Sequence, residues 1–232
     1  VLVRCQNTTM EHAGGGRFVA GAAAPNAALY TFARDLGYDW SGFYTVPGTI
    51  GGAVAGNSGI PGCEMQDYLL YAKVFDAEKK EFFGVDADYF QYGYRHSIFR
   101  DDPALRQKLL IWEVALFLDK STPEAIEAKA QEVMAARKAK QPWGKTGGSF
   151  FKNPQQDAAG RLLEEAGAKQ MRLGGAYFSE KHANFLMSDG NATQADIIAL
   201  ARHAQAKVEE QSGIRLEAEV ILLDEQGSEI AL

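Results

Sequence analysis

The chain has 232 residues, 46% of them hydrophobic, and a formal charge of −6, which is enough apolar material for one large core or two modest ones. With no long lysine or arginine run it lacks the phosphate grip that nucleic-acid binding requires, and its longer apolar runs, such as residues 109–118 interrupted by Glu113, fall short of the roughly 20 residues of a membrane span. Cys5 and Cys63 stand far apart with no C-x-x-C, a usage that argues against a disulfide framework or zinc site and for a reducing, cytoplasmic setting.

The opening residues, V-L-V-R-C-Q-N, have neither an initiator methionine nor the charged start and apolar stretch of a secretory signal, so a processed or truncated chain is expected. R-F-V-A-G predicts a short strand, and a helix follows from about Pro25 to Leu36, stopped by Gly37. The next stretch, V-P-G-T-I-G-G-A-V-A-G-N-S-G, holds Gly48, Gly51, Gly52, Gly56 and Gly59 without a clear period. Ordering so much glycine costs conformational entropy, and Val46, Ile50 and Val54 make it too apolar for a linker. It reads as a loop whose backbone approaches a ligand.

Residues 69–75 and 81–85 flank D-A-E-K-K and predict a hairpin, and residues 109–118 predict a further strand. Thr122-Pro123-Glu124 supplies a cap, a first-position proline and a first-turn acid. The helix it opens carries Ile126, Ala130, Val133 and Met134 at helical spacing and ends before Pro142. Hairpins dominate before this cap and helices after it, so the domain boundary is placed at 120/121. Helices are predicted near residues 158–166 and 194–211. The last segment, I-R-L-E-A-E-V-I-L-L, alternates as a strand with Arg215, Glu217, Glu219 and Ile221 on one face, a pattern that usually marks a solvent-facing edge.

Several motifs fail. G-K-T at residues 144–146 lacks the Walker glycine, since Ala139 stands in its place, and neither G-x-G-x-x-G nor G-x-S-x-G occurs. His12, His96, His182 and His203 form no metal-spaced pair, so no metal is expected. Ser149 is set apart by its frame, K-T-G-G-S-F-F-K-N-P, where two glycines permit close approach and a proline blocks helix.

Taken together and in order, V-P-G-T-I-G-G-A-V-A-G-N-S-G, G-Y-R-H-S-I-F-R, G-G-S-F-F-K-N-P, S-E-K-H-A-N-F and L-E-A-E-V resemble the UDP-N-acetylenolpyruvoylglucosamine reductase family, in its shorter form. The resemblance implies an α+β fold: residues 1–120 as the later part of an FAD-binding domain, and 121–232 as a UDP-sugar domain. It implies a cytoplasmic, monomeric flavoenzyme of peptidoglycan synthesis, in which NADPH reduces FAD and the flavin reduces UDP-N-acetylglucosamine enolpyruvate. The family opens with a small subdomain whose glycine-serine-asparagine loop helps hold the flavin phosphates. Nothing in the sequence corresponds to it, so weak FAD retention is expected. Another flavin oxidoreductase of the same broad fold, or a flavin-free UDP-sugar-binding module, are the alternatives.

On the matching positions, the family's carboxylate-binding arginine falls on Arg95, its proton-donating serine on Ser149 and its catalytic glutamate on Glu219. The glycine segment implies cofactor contacts at Pro47, Gly48, Thr49, Gly51, Gly52, Asn57 and Gly59, with Arg95 beside the flavin. Substrate contacts fall on Lys140 and Asn153, with Tyr94, Lys181 and His182 as further candidates, and Asn184 beside them. Phe150 and Phe151 are expected to keep water from the Ser149 hydroxyl.

Overall fold

A computed structural model describes residues 4–232 and places them in two compact units, divided between Ala135 and Ala136. The fold is α+β. In the first unit β1 (Met10–Gly14) and β2 (Arg17–Gly21) form a hairpin, followed by α1 (Asn26–Asp35), α2 (Ile50–Gly56) and the short pair β3 (Gly59–Ile60) and β4 (Cys63–Glu64). Then come β5 (Leu69–Asp76), β6 (Glu81–Asp86), α3 (Ile98–Asp101), α4 (Pro103–Lys108) and β7 (Leu109–Phe117). The main sheet is antiparallel throughout, in the order β1-β2-β7-β5-β6.

Alternation gives this sheet one buried face. Phe18, Ala20, Ala72, Val74, Val114 and Leu116 are buried, and they share a core with Leu29 and Ala33 of α1 and Ile50 and Val54 of α2. The predicted α1, the hairpin and β7 are present within a residue or two of their expected bounds.

The glycine segment departs from expectation. Residues 50–56 are helical, not a loop. Glycine's low helix propensity hides this in the sequence, but tertiary contact overrides it: the Ile50 amide donates to Ala24 O at 2.9 Å and the Gly51 amide to Ala22 O at 2.9 Å. A Cβ on Gly51 would stand 2.6 Å from that of Ala22, so glycine at this position is what lets the helix lie on the chain leaving β2.

α5 (Pro123–Lys140) contains the division between the units. Its N-terminal half buries Ile126 and Ala130 in the first core, which carries the compact unit fifteen residues beyond the boundary placed at the Thr122 cap. The second unit continues with β8 (Lys145–Ser149), α6 (Ala159–Glu165), β9 (Arg172–Leu173), β10 (Ala176–Phe178), β11 (Phe185–Ser188) and α7 (Gln194–Ser212). Its sheet runs β8-β11-β10-β9, and Phe150, Phe151, Phe178 and Leu186 form a core with Leu162 and Leu163 of α6 and Leu200, Ala204 and Val208 of α7.

The predicted final strand is a second correction. Residues 217–219 lie alongside 150–152 through Lys152 N to Glu217 O at 2.8 Å and Glu219 N to Phe150 O at 2.7 Å, a single bridge between Phe151 and Ala218. Leu216 is buried and its carbonyl accepts from Gln205 Nε2 at 2.7 Å, whereas Ile221 and Leu223 are exposed. Alternation alone does not make a strand where no ladder continues beside it.

Two substitutions test these readings. Thr193 and Asp196 cap α7 reciprocally, Asp196 N donating to Thr193 Oγ1 at 3.1 Å and Thr193 N to Asp196 Oδ2 at 2.9 Å. Thr193→Ala should therefore cost about 1 kcal/mol in urea unfolding, with the slope unchanged, while Thr193→Ser stays close to wild type. Gly51→Ala should cost about 1–3 kcal/mol through overpacking; a wild-type unfolding midpoint would show that α2 does not rest on Ala22.

Candidate functional site

In the first unit the two sequence motifs meet at the C-terminal end of α2. A helix ends with carbonyls that have no partner within it, and here residues 92–97 answer them. Tyr92 Oη donates to Val54 O at 2.9 Å, Ser97 Oγ to Ala55 O, and the Arg95 guanidinium to Asn57 O at 3.3 Å and Gly59 O at 3.0 Å. A cation at this end also complements the helix dipole. Arg95 has a positive φ of 52°, and its guanidinium carbon lies 5.4 Å from the ring centre of the half-exposed Tyr94.

Asn57 ends α2 in the left-handed region, φ 43°. Its side chain is buried and committed: Nδ2 donates to Gly93 O at 2.9 Å and Glu64 Oε2 at 3.0 Å, and Oδ1 accepts from Gln66 N at 3.1 Å. Asn57 thus staples the two motifs together. Gly51 packs on Ala22, and Gly59 pairs with Glu64 so closely that a Cβ would strike the Cys63 carbonyl. The expected cofactor positions that stand open to solvent are Pro47, Gly48, Thr49 and Gly52. The space where a Gly48 Cβ would sit is open, its φ is 104°, and Thr49 Oγ1 caps α2 by accepting from Gly52 N at 3.3 Å. This bare backbone fits the close approach of a flat or phosphorylated cofactor.

Sequence reasoning missed Asn26. Its backbone amide donates to Gly48 O at 3.2 Å and its Nδ2 to Val46 O at 3.3 Å, so a fully buried side chain fixes the turn that carries Pro47 and Gly48. A lone asparagine at a helix start gives no signal of so distant a partner.

In the second unit Ser149 is positioned by a β-bulge. Thr146 lies across from Met187 and Ser149 across from Phe185, so β8 spends three steps where β11 spends two. Gly148 absorbs the extra residue with φ 89°, and Thr146 Oγ1 donates to Leu186 O at 2.8 Å. Strict alternation from Thr146 would turn Ser149 toward the core; the bulge reverses this and re-aims the hydroxyl. Phe150 and Phe151 then enter the core instead of enclosing Ser149, which corrects their expected role. The aromatic ring across from the serine is Phe185.

The chain after Ser149 is held by Asn184. Its Oδ1 accepts from Phe151 N at 2.9 Å, its Nδ2 donates to Phe151 O at 2.8 Å, and its carbonyl accepts from Phe150 N at 2.8 Å. Asn184 N donates in turn to His182 Nδ1 at 3.2 Å. Burial pushes His182 below its usual pKa, which keeps the ring neutral and able to accept. His182 is thus a brace for the loop beside Ser149. Glu219 sits next to Phe150 through its own amide, so the backbone pairing brings the chain at Glu219 beside the chain at Ser149.

Asn153 is exposed, and its Oδ1 accepts from Ala159 N at 3.0 Å at the start of α6; the position expected to touch substrate also caps a helix. Lys140 is exposed in the last turn of α5, and Lys181 Nζ donates to Lys138 O in that same turn. Lys181 also lines a cavity of about 700 Å³ within this unit. Among the described residues no group of three or more His, Cys, Asp or Glu side chains could hold a metal ion, and no helix is long and apolar enough to cross a membrane.

Residues 139–223 match the family model for the C-terminal domain of UDP-N-acetylenolpyruvoylglucosamine reductase. The reductase of Rhodopseudomonas palustris (strain BisB5) is 42% identical over 180 residues, 77% of this chain and 56% of the relative. That of Geobacter sulfurreducens is 36% identical over 228 residues, 97% of this chain and 73% of the relative. The crystal structure of the Thermus caldophilus reductase superposes with a TM-score of 0.75 at 33% identity, covering 87% of this chain and 70% of that one. The chain spans 56% and 63% of the first two curated relatives it matches. At this identity and coverage, it belongs to the UDP-N-acetylenolpyruvoylglucosamine reductase family.

Proposed function

We propose that the chain takes part in the NADPH-dependent, FAD-mediated reduction of UDP-N-acetylglucosamine enolpyruvate to UDP-N-acetylmuramate, a cytoplasmic step of peptidoglycan synthesis. The observation that carries this reading is the bulge that turns Ser149 out of the core, with the chain at Glu219 paired beside it. A hydroxyl aimed by a bulge and held by a side-chain brace suits a group that must meet a reacting carbon.

FAD, when bound and reduced by NADPH, would supply hydride chemistry. Residues Pro47 to Thr49 and Gly52 would hold it through their uncovered backbone. Hydride addition to the enolpyruvyl carbon remote from the carboxylate leaves negative charge on the adjacent carbon and on the carboxylate, which calls for an electrostatic partner and a proton donor. On the first unit, Arg95 offers a planar and permanently charged fork suited to a carboxylate. On the second, the Ser149 hydroxyl delivers the proton to the adjacent carbon, and Glu219 relays a proton or polarises the enolate. Lys140 and Lys181 supply cations for the diphosphate, and Asn153 orients the sugar nucleotide.

Two measurements test this. Calorimetry with the enolpyruvyl UDP-sugar should give saturable binding without flavin, weakened by Lys140→Ala; absence of binding would remove the substrate assignment. In the flavin-loaded enzyme, Ser149→Ala should leave flavin reduction by NADPH unchanged while turnover falls about 10²- to 10⁴-fold, the range of general acid catalysis. Ser149→Cys should retain more activity than Ala, since a thiol still donates a proton. Equal slowing of both half-reactions in stopped flow would make Ser149 a structural residue.

A further inference from the structure

Among the described residues, the segment that carries Glu219 meets residues 150–152 through a single bridge, Phe151 with Ala218. Hydrogen bonds at one point do not fix a chain along its length. Alternation still sorts the side chains: Ile214, Leu216, Val220 and Leu222 pack on the second core, while Arg215, Glu217, Ile221 and Leu223 are exposed. Glu219 belongs to the outward series, yet it is half-buried. Where its carboxylate stands therefore depends on what holds the backbone before and after it.

α7 supplies that hold. The helix is capped by Gly213 with φ 70°, after which the chain turns back along it, and two glutamines of the helix reach the returning backbone. Gln205 Nε2 donates to Leu216 O at 2.7 Å, and Gln194 Nε2 donates to Leu223 O at 2.5 Å. The glutamines are eleven residues apart, which is close to three helical turns, so they share one face and stand about 16 Å apart along the axis. Their acceptors lie three residues before Glu219 and four after it. A side-chain amide that meets a main-chain carbonyl stands in for a rung of the missing ladder, and one such rung is set on each side of the carboxylate. The two rungs are unequal. Gln205 is 6% exposed and Leu216 1%, so loss of this donor would leave a carbonyl unmet in the core. Gln194 is exposed, and water can answer Leu223 in its place.

Resting on the reductase reading above, we propose that Gln205, with Gln194 as its weaker counterpart, is a positioning residue for Glu219: through these two amides α7 sets where the carboxylate stands beside Ser149. Gln205→Met keeps the length of the side chain and removes the donor. In the flavin-free protein, amide hydrogen exchange read by NMR should show Glu219 and Lys152 losing protection in this variant while the amides of α7 keep theirs. In the flavin-loaded enzyme, flavin reduction by NADPH should be unchanged, and transfer from reduced flavin to the enolpyruvyl UDP-sugar should slow roughly 10- to 100-fold, the cost of a displaced reacting group. Gln194→Ala should slow that transfer only about 2- to 10-fold, the weight of one ordinary hydrogen bond; as a surface change it carries the test if the buried variant does not fold. Either substitution made together with Glu219→Gln should add little further loss, because the group it positions is already gone. Wild-type exchange at Glu219 in every variant that folds would overturn the proposal and leave the reductase reading standing. A loss as large in the Glu219→Gln background as in wild type would also overturn it, marking the glutamines as general supports of the fold. Full transfer activity of Glu219→Gln alone would remove the proposal and the role given to Glu219 together.

Discussion

The end of a short glycine-rich helix is the constraint on which the first unit depends. Local amides answer only some of the carbonyls at the end of α2, and the other donors come from some forty residues further along: Tyr92 and Ser97 to Val54 O and Ala55 O, and Arg95 to Asn57 O and Gly59 O just past the helix. Because an unmet buried carbonyl costs more than an average hydrogen bond returns, the two segments are bound to each other's geometry. Arg95 is bonded to the two carbonyls just beyond the helix, so its placement is tied to the same turn.

The second unit solves a similar problem with an amide side chain. Asn184 offers Phe151 a donor and an acceptor, as a neighbouring strand would, at a place where the regular ladder has been broken by the bulge. Holding a reactive group within a fraction of an ångström of its working position is a large part of what a protein contributes to a reaction. Neutral His182, behind Asn184, extends that support by one more shell.

Much of this was legible in the residues. The helices bounded by Pro25 and Gly37, by the Thr122 cap and by Gly213 carry end signals whose physics is local, and the hairpin across D-A-E-K-K is equally local. What escaped reading is non-local. α2 hid behind glycines that are there for contact with Ala22. The last segment alternated convincingly, but alternation says nothing about whether a partner strand runs beside it. The bulge at Gly148 reversed the faces of Ser149 and Phe150, since a period of two is only as good as the count of residues across it. Asn57 was expected beside the cofactor; its side chain is buried against Glu64, Gln66 and Gly93, none of which its own motif contains.

The order of strands in the first sheet has a consequence for synthesis. β7 lies between β2 and β5, yet it is the last strand of that sheet to be made, starting at Leu109 while β2 ends at Gly21. At ribosomal rates of about 5–20 residues per second, the inner edge of the β1-β2 hairpin waits roughly 4–20 s for its partner. During that time Phe18 and Ala20 have no sheet to join, and the β5-β6 hairpin stands ready with an edge of its own. Pairings with such long sequence separation form slowly because loop closure must precede any reward from contact. The nascent first unit therefore carries two unpaired edges until its central strand arrives.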